Sequence, residues 1–380
     1  MPFNNSSKKN AQTYPYFDKL PKKQGLYNPL EEHDACGVGF VANIDGDKNH
    51  DIILNGIQVL ENMKHRGAEG ADSKSGDGAG IMTQIPHEFI LLHGIPVPER
   101  GKYGTGLVFL PKDELVRNKC VEIIRRNIEE VGLKLMYIRD VPTDNSEIGE
   151  YAKEVEPICI QIFVTGDVGD SLELKLYLVR KQIENEVIET FDDPKACYIV
   201  SLSSKRIIYK GMLSSIQLKD YFTDLSDPYY TSAIALVHSR FSTNTFPTWS
   251  MAQPFRMLGH NGEINTITGN RIWMKAACTL IAKKQFPDYD FKKILPIIQP
   301  EMSDSASLDN ILEFFVMAGM SLPRALAMLI PESFNEKNPI SADLKGFYDY
   351  HSIFMNPWDG PAAIMFSDGR YIGGMLDRNG

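Results

Sequence analysis

Cys36 has the richest chemical setting in the chain. It lies between Ala35 and Gly37, with Gly39 two residues further on. Glycines there let a ligand or another backbone come close. If the chain is cut between Ala35 and Cys36, the cysteine carries a free α-amine. The reference pKa of that amine, about 7.7–8.0, suits a general base at neutral pH. One residue would then hold both nucleophile and base, with no histidine partner. The plainer alternative is a buried strand cysteine between turn glycines, the commoner fate of a free thiol. Four polar segments add weight to the first reading. They are His65-Arg66-Gly-Ala-Glu-Gly-Ala-Asp72, Val237-His-Ser-Arg240-Phe-Ser-Thr243-Asn-Thr, Gly259-His-Asn261-Gly262-Glu-Ile, and Ser303-Asp304-Ser-Ala-Ser-Leu-Asp309-Asn. Each adjoins an apolar element, where a scaffold can hold a site rigid.

The elements that must position these groups follow from spacing. Residues 36–44 read as a strand ahead of an Asp45-Gly46 turn. Ile53, Ile57, Leu60 and Met63 fall on one helical face within 51–64. Helices are expected over 114–132, with Leu115, Ile123, Ile124, Ile128 and Val131 inward, and over 172–190 and 266–283. A further helix follows Ser307, its expected cap, through Met320. Strands are expected at 158–165 and 232–238, and 197–202 with 206–212 read as a strand pair. The Ser367-Asp-Gly turn joins 362–366 to 371–376 as a hairpin. Residues 1–35 lack any sustained period and read as a loosely structured leader. The end at Asp377-Arg-Asn-Gly380 reads as a cut inside a larger protein. Gly76-Asp-Gly-Ala-Gly80 is glycine-rich, but its spacing is not that of a dinucleotide loop.

Composition excludes several classes. The 380 residues carry 49 acidic and 40 basic side chains, a net charge of −9, which with no basic run argues against a nucleic-acid partner. No run of apolar residues is long enough for a membrane span, and no apolar core follows the N-terminal lysines as a secretory signal needs. Five widely spaced cysteines without a Cys-X-X-Cys pair argue against a disulfide framework and for a reducing, cytoplasmic setting.

Six motifs in order, CGVGF, HRGAEGADSKSGDGAGI, HSRFSTNTFPTW, HNGEINT, SDSASLDN and PWDGPAA, resemble the N-terminal class II glutamine amidotransferase domain of the glutamate synthase large subunit. The resemblance runs from Cys36 to Gly380 and is weak only over about 100–230. It implies a leader, residues 1–35, removed to expose Cys36, and a domain over 36–380. It also implies an α+β fold, the four-layer αββα sandwich of N-terminal nucleophile hydrolases. Cys36 would attack the glutamine side-chain amide to give a glutamyl thioester. Asn261 and the Gly262 backbone N–H would form the oxyanion hole, although Asn-Gly is also the strongest hairpin-turn signal. Arg240 would clamp the substrate α-carboxylate, a geometry a planar guanidinium suits, with Thr243 adding a hydroxyl. Otherwise Arg240 is a surface ion-pair residue. Asp304 would hold the α-ammonium, or else cap a helix. Arg66 would order the loop around Cys36, and Asp309 reads as structural. His65, His238 and His260 lack carboxylate or cysteine neighbours at ligand spacing, so no metal is expected.

The implied function is glutamine hydrolysis, with the ammonia passed to a synthase region using 2-oxoglutarate. That region, beyond this chain, would bind FMN and an iron–sulfur cluster. Its electrons would come from an NADPH-linked subunit or from ferredoxin. No cofactor is expected within this chain itself. Two alternatives stand beside this: an amidotransferase serving another acceptor, and an unprocessed, non-catalytic glutamine-binding relative.

Overall fold

The computed structural model describes residues 37–64, 67, 72, 74–166, 169–191, 196–239, 247–287, 289–336, 339–353 and 355–377. The first half alternates strand and helix: β1 (Val38–Ala42), α1 (Asp51–Asn62), β2 (Ala79–Gln84), α2 (His87–Leu92), β3 (Tyr103–Leu110), α3 (Glu114–Glu130), β4 (Lys134–Asp140), α4 (Glu150–Glu154), β5 (Ile158–Thr165) and α5 (Leu172–Thr190). Then come β6 (Tyr198–Ile199), β7 (Arg206–Gly211), α6 (Leu218–Tyr221), β8 (Ile234–Ser239) and β9 (Leu258–Gly262). Four helices, α7 (Ile267–Gln285), α8 (Asp304–Met317), α9 (Leu322–Leu329) and α10 (Ala342–Ser352), precede β10 (Ala362–Ser367) and β11 (Ile372–Leu376).

The strands form three antiparallel sheets, ordered β1-β8-β2-β7, β11-β10-β9 and β4-β5-β3-β6. A mixed α/β chain with all-antiparallel sheets is the α+β pattern. Helix α1 lies on the first sheet through Ile53, Ile57 and Leu60, all buried. Gly56 allows this approach, since a Cβ there would stand 2.8 Å from the Ala235 methyl. Strand β9 lies against the same sheet: a Cβ on Gly259 would stand 3.0 Å from a Val38 methyl. Beyond β9, α8 contributes Leu308, Ile311 and Leu312 to a core shared with Met257 and Leu258.

A buried ion network ties α5 to the segment entering β9. Glu184 accepts from Arg180, from Lys181 at 3.0 Å and from Arg256 at 2.8 Å, and Arg180 also pairs with Glu313. Asp309 accepts the backbone N–H of Arg256 at 3.1 Å, Met257 at 2.7 Å and Leu258 at 3.2 Å. The aspartate is structural, as expected, and sets where β9 starts.

Three local expectations are corrected. Residues 197–202 and 206–212 do not pair: β6 joins β3 and β7 joins β2, because the chain changes sheets between them. Ser303, not Ser307, caps α8, accepting the Ala306 N–H at 3.1 Å. Ser307 lies one turn inside, where its hydroxyl donates to the Ser303 carbonyl. Leu115 is exposed, and Cys120 takes its place on the buried face of α3. Among the described residues, no helix is long and apolar enough to cross a membrane.

Candidate active site

The end of β8 and the start of β1 are adjacent. Val38 pairs with His238, and the Ser239 N–H donates to the Gly37 carbonyl at 2.7 Å. Gly37 follows Cys36 and Ser239 precedes Arg240 in the sequence. Gly67, which follows Arg66, packs on the same point: a Cβ there would stand 3.4 Å from the Ser239 hydroxyl. Cys36, Arg66, Arg240 and Thr243 themselves lie outside the described residues. The described chain neighbours of Cys36, Arg66 and Arg240 converge on one end of the first sheet.

Strand β9 brings Asn261 and Gly262 to that end. His238 donates from Nε2 to the His260 carbonyl at 3.0 Å, linking β8 to the residue before Asn261. Asn261 pairs with Ala363 and Gly262 with Ala362, so the Asn-Gly pair lies within a strand and forms no hairpin turn. Gly262 has φ +139, and a Cβ on it would overlap the Pro361 carbonyl. Only glycine fits this backbone without strain.

Asp304 opens α8 and is its first helical residue, so it is not the cap. Its carboxylate accepts the Ile264 N–H at 2.8 Å and the Ser305 hydroxyl at 3.2 Å. Because that hydroxyl donates to Asp304, it accepts from His260 Nδ1, at 2.7 Å. His260 thus joins β9 to the helix start that carries Asp304.

Both histidines are buried and neutral in this setting. Burial lowers His238 to about 4, with the His260 carbonyl acting the other way. Burial likewise lowers His260, opposed by Asp304 and Asp377. Asp309 shows the converse: burial, then Glu313, push it up to about 6 against the pull of Arg256. Among the described residues, no group of three or more His, Cys, Asp and Glu is placed to hold a metal.

One contact escapes the motif reading. Gln253, buried, accepts the His260 N–H at 2.8 Å and donates to the His260 carbonyl at 3.2 Å. Nothing in its local sequence marks it beyond the Pro254 that follows. In the sequence His238 and His260 carry no role once a metal is excluded, whereas their hydrogen bonds make them struts between elements.

The sequence has counterparts in known proteins. The family model for class-II glutamine amidotransferases matches residues 36–380. The glutamate synthase [NADPH] large chain of Bacillus subtilis (strain 168) is 46% identical over 371 residues, covering 96% of this chain and 24% of its own. The glutamate synthase [NADH] of Saccharomyces cerevisiae is 42% identical over 95% of this chain and 17% of its own. The ferredoxin-dependent glutamate synthase of Antithamnion sp. is 41% identical over 97% of this chain and 25% of its own. The chain thus spans a quarter or less of the length of these relatives, and it belongs to the class II glutamine amidotransferases.

Proposed function

We propose that this chain is the glutamine-hydrolysing part of a glutamate synthase, with Cys36 as its mature N-terminal nucleophile. The Cys36 thiol passes its proton to its own α-amine, and the sulfur attacks the side-chain amide carbon of glutamine. The C=O electrons move to oxygen, giving a tetrahedral oxyanion. Donors from Asn261 Nδ2 and the Gly262 N–H stabilise it, each worth about 3 kcal/mol in such sites. Collapse expels the amide nitrogen, which takes the proton from the α-amine and leaves as ammonia. Water then attacks the thioester through a second oxyanion, releases glutamate and returns the thiol. Arg240, with Thr243, binds the α-carboxylate, Asp304 binds the α-ammonium, and Arg66 orders the nucleophile loop.

The observation that carries this reading is the junction of β1, β8 and β9. There the Ser239–Gly37 and His238–His260 hydrogen bonds gather the neighbours of Cys36, Arg240 and Asn261 at one place. The same junction supports a four-layer αββα arrangement, with α1 outside the first sheet and α8 outside the β9–β10 layer. In this reading, residues 1–35 are a leader removed before activity.

The ammonia would pass to a synthase region using 2-oxoglutarate, FMN and an iron–sulfur cluster. The relatives' names divide between NADPH, NADH and ferredoxin as electron donors. The described cysteines, Cys120, Cys159, Cys197 and Cys278, are buried and form no metal-ligand group, so they do not suit the cluster. Intact-mass analysis before and after a glutamine-analogue diazo-ketone tests the proposal. Loss of residues 1–35 with one adduct on Cys36 is the expected result, and Cys36→Ser should take no adduct and form no thioester. Full turnover by Cys36→Ser would refute the nucleophile assignment.

A further inference from the structure

At His260, β9 turns its backbone N–H and C=O away from β10. It is the outer strand of its sheet there, and both groups need partners. Among the described residues, no neighbouring strand supplies both. The side-chain amide of Gln253 does, accepting from the N–H at 2.8 Å and donating to the C=O at 3.2 Å. A single planar amide replaces one rung of a ladder. Gln253 is itself fixed from behind: the Phe255 N–H to Leu258 carbonyl bond, 2.8 Å, closes the turn between it and β9. Gly80 on β2 lets the backbone approach, since a Cβ there would stand 2.5 Å from the Gln253 carbonyl oxygen.

We infer that Gln253 is a positioning residue for the oxyanion site, gripping the backbone of His260 so that Asn261 and Gly262 are held at a fixed depth against β1 and β8. It works jointly with His238, which donates to the same carbonyl from β8. The carbonyl accepts from two elements at once, so β9 can neither slide along β8 nor tilt about its axis without breaking one bond. Gln253 does not need to touch glutamine, and its removal acts on the rate of the chemical step and not on substrate binding. The inference rests on Asn261 and Gly262 being the oxyanion donors.

Gln253→Glu tests this through protonation. A neutral carboxylic acid reproduces the amide's pattern, accepting through its carbonyl and donating through its hydroxyl. The carboxylate accepts only and faces the His260 carbonyl with like polarity. Other titratable or charged groups around this segment are His238 on β8, His260 on β9, Arg206 and Lys210 on β7, Arg256 in the same turn, Glu184 on α5, and Asp304 and Asp309 on α8. They are common to parent and variant, so the quantity read is the ratio of the two kcat values for glutamine hydrolysis in the complete protein. At pH 8.5 the ratio should be about 0.01, from donors displaced by about an ångström. It should rise at least about tenfold towards pH 5.5 as the acid form returns, while KM stays within about twofold of the parent because binding is untouched.

Gln253→Met, which removes both bonds without a charge, should be slow at every pH with a flat ratio. If Gln253→Glu does not fold above pH 7, Gln253→Met decides alone, by a fall in kcat without a rise in KM. A flat ratio for a folded Gln253→Glu, or full activity in Gln253→Met, overturns the inference. Asn261→Ala, assayed in parallel, separates the two levels. Parent-like turnover in Asn261→Ala would remove the oxyanion reading itself. A slow Asn261→Ala beside fully active Gln253 variants would remove only the positioning role.

Discussion

Replacing Gly262 by alanine asks how much the proposed oxyanion donors owe to one missing methyl group. At φ +139 an L-residue is strained, a cost of about 1–3 kcal/mol. The added Cβ would also overlap the Pro361 carbonyl and stand 3.0 Å from the Ala362 Cα. Both are backbone atoms, and the Pro361 carbonyl already accepts the Glu263 N–H at 2.9 Å. No rotamer change relieves that contact, so β9 and β10 must part by roughly an ångström at the Gly262–Ala362 pair. A shift of that size at a reacting centre costs about a hundredfold in rate. Gly262→Ala should therefore lower kcat for glutamine hydrolysis by about two orders of magnitude and leave KM nearly unchanged. Gly269→Ala is the control. Gly269 lies on α7, and a Cβ added to it would meet nothing within 4 Å, so alanine should raise stability by about 0.4–1 kcal/mol without changing kcat. Both are measured by steady-state kinetics and thermal unfolding. A folded Gly262→Ala with kcat within about threefold of the parent would overturn this expectation, because the strands would then part without moving the proposed donors.

Asp304→Ala removes a carboxylate from the candidate ammonium site and the acceptor of the Ile264 N–H. Glutamine affinity, measured by calorimetry in a Cys36→Ser background, should weaken by about 1–3 kcal/mol, and unchanged affinity would remove Asp304 from the site. Glu184→Ala leaves Lys181 and Arg256 without a carboxylate partner in the interior, Arg180 keeping Glu313, and should cost about 3–5 kcal/mol, read from urea unfolding. For pH, His238 at about 4 resists a proton that the unfolded chain takes near 6.5, so it makes stability fall as pH drops from 6.5 to 4. Asp309, raised to about 6, binds its proton sooner in the folded state, so it makes stability rise as pH drops from 6 to 4. Each is worth about 3 kcal/mol, so the two oppose each other in the parent. Asp309→Asn should lose stability on acidification more steeply than the parent, and His238→Asn should gain it. Parallel curves for all three would mean neither group is buried as described.

Much of the fold is legible where one face of an element is buried and the other is not. α1 shows its inward Ile53, Ile57 and Leu60, and β5 and α5 fall on the residues expected. β3 escapes the pattern although every one of its residues is buried. Its Tyr-Gly-Thr-Gly start breaks the apolar run because Gly104 and Gly106 make room for Leu176 and for the Ser201 backbone. Those contacts reach segments far along the chain, which no local window contains. The mistaken pairing of 197–202 with 206–212 has the same origin. Two apolar runs joined by a short polar link look like a hairpin, and only the positions of β2 and β3 send them to different sheets.

At the site, the motifs name the groups that would meet substrate, since such groups sit in polar clusters that interrupt apolar runs. The parts that hold those groups are harder to read. Gln253 is one polar residue in an irregular stretch, and its partner is the backbone of His260, which has no side-chain identity for a sequence to display. The two histidines are hard to read for a related reason. Histidine is a metal ligand, a base or a strut according to what its nitrogens face. His238 Nε2 faces a carbonyl, and His260 Nδ1 faces a hydroxyl already committed to Asp304. Neutral imidazoles suit these positions. A neutral ring fixes its single N–H on one acceptor and adds no charge beside a developing oxyanion, whereas a protonated pair would place two cations in the core at a high desolvation cost. The depressed pKa of His238 therefore fits the same frame as the Gln253 contacts, rigid and uncharged, which in the proposed mechanism would leave electrostatic stabilisation of the oxyanion to Asn261 and Gly262.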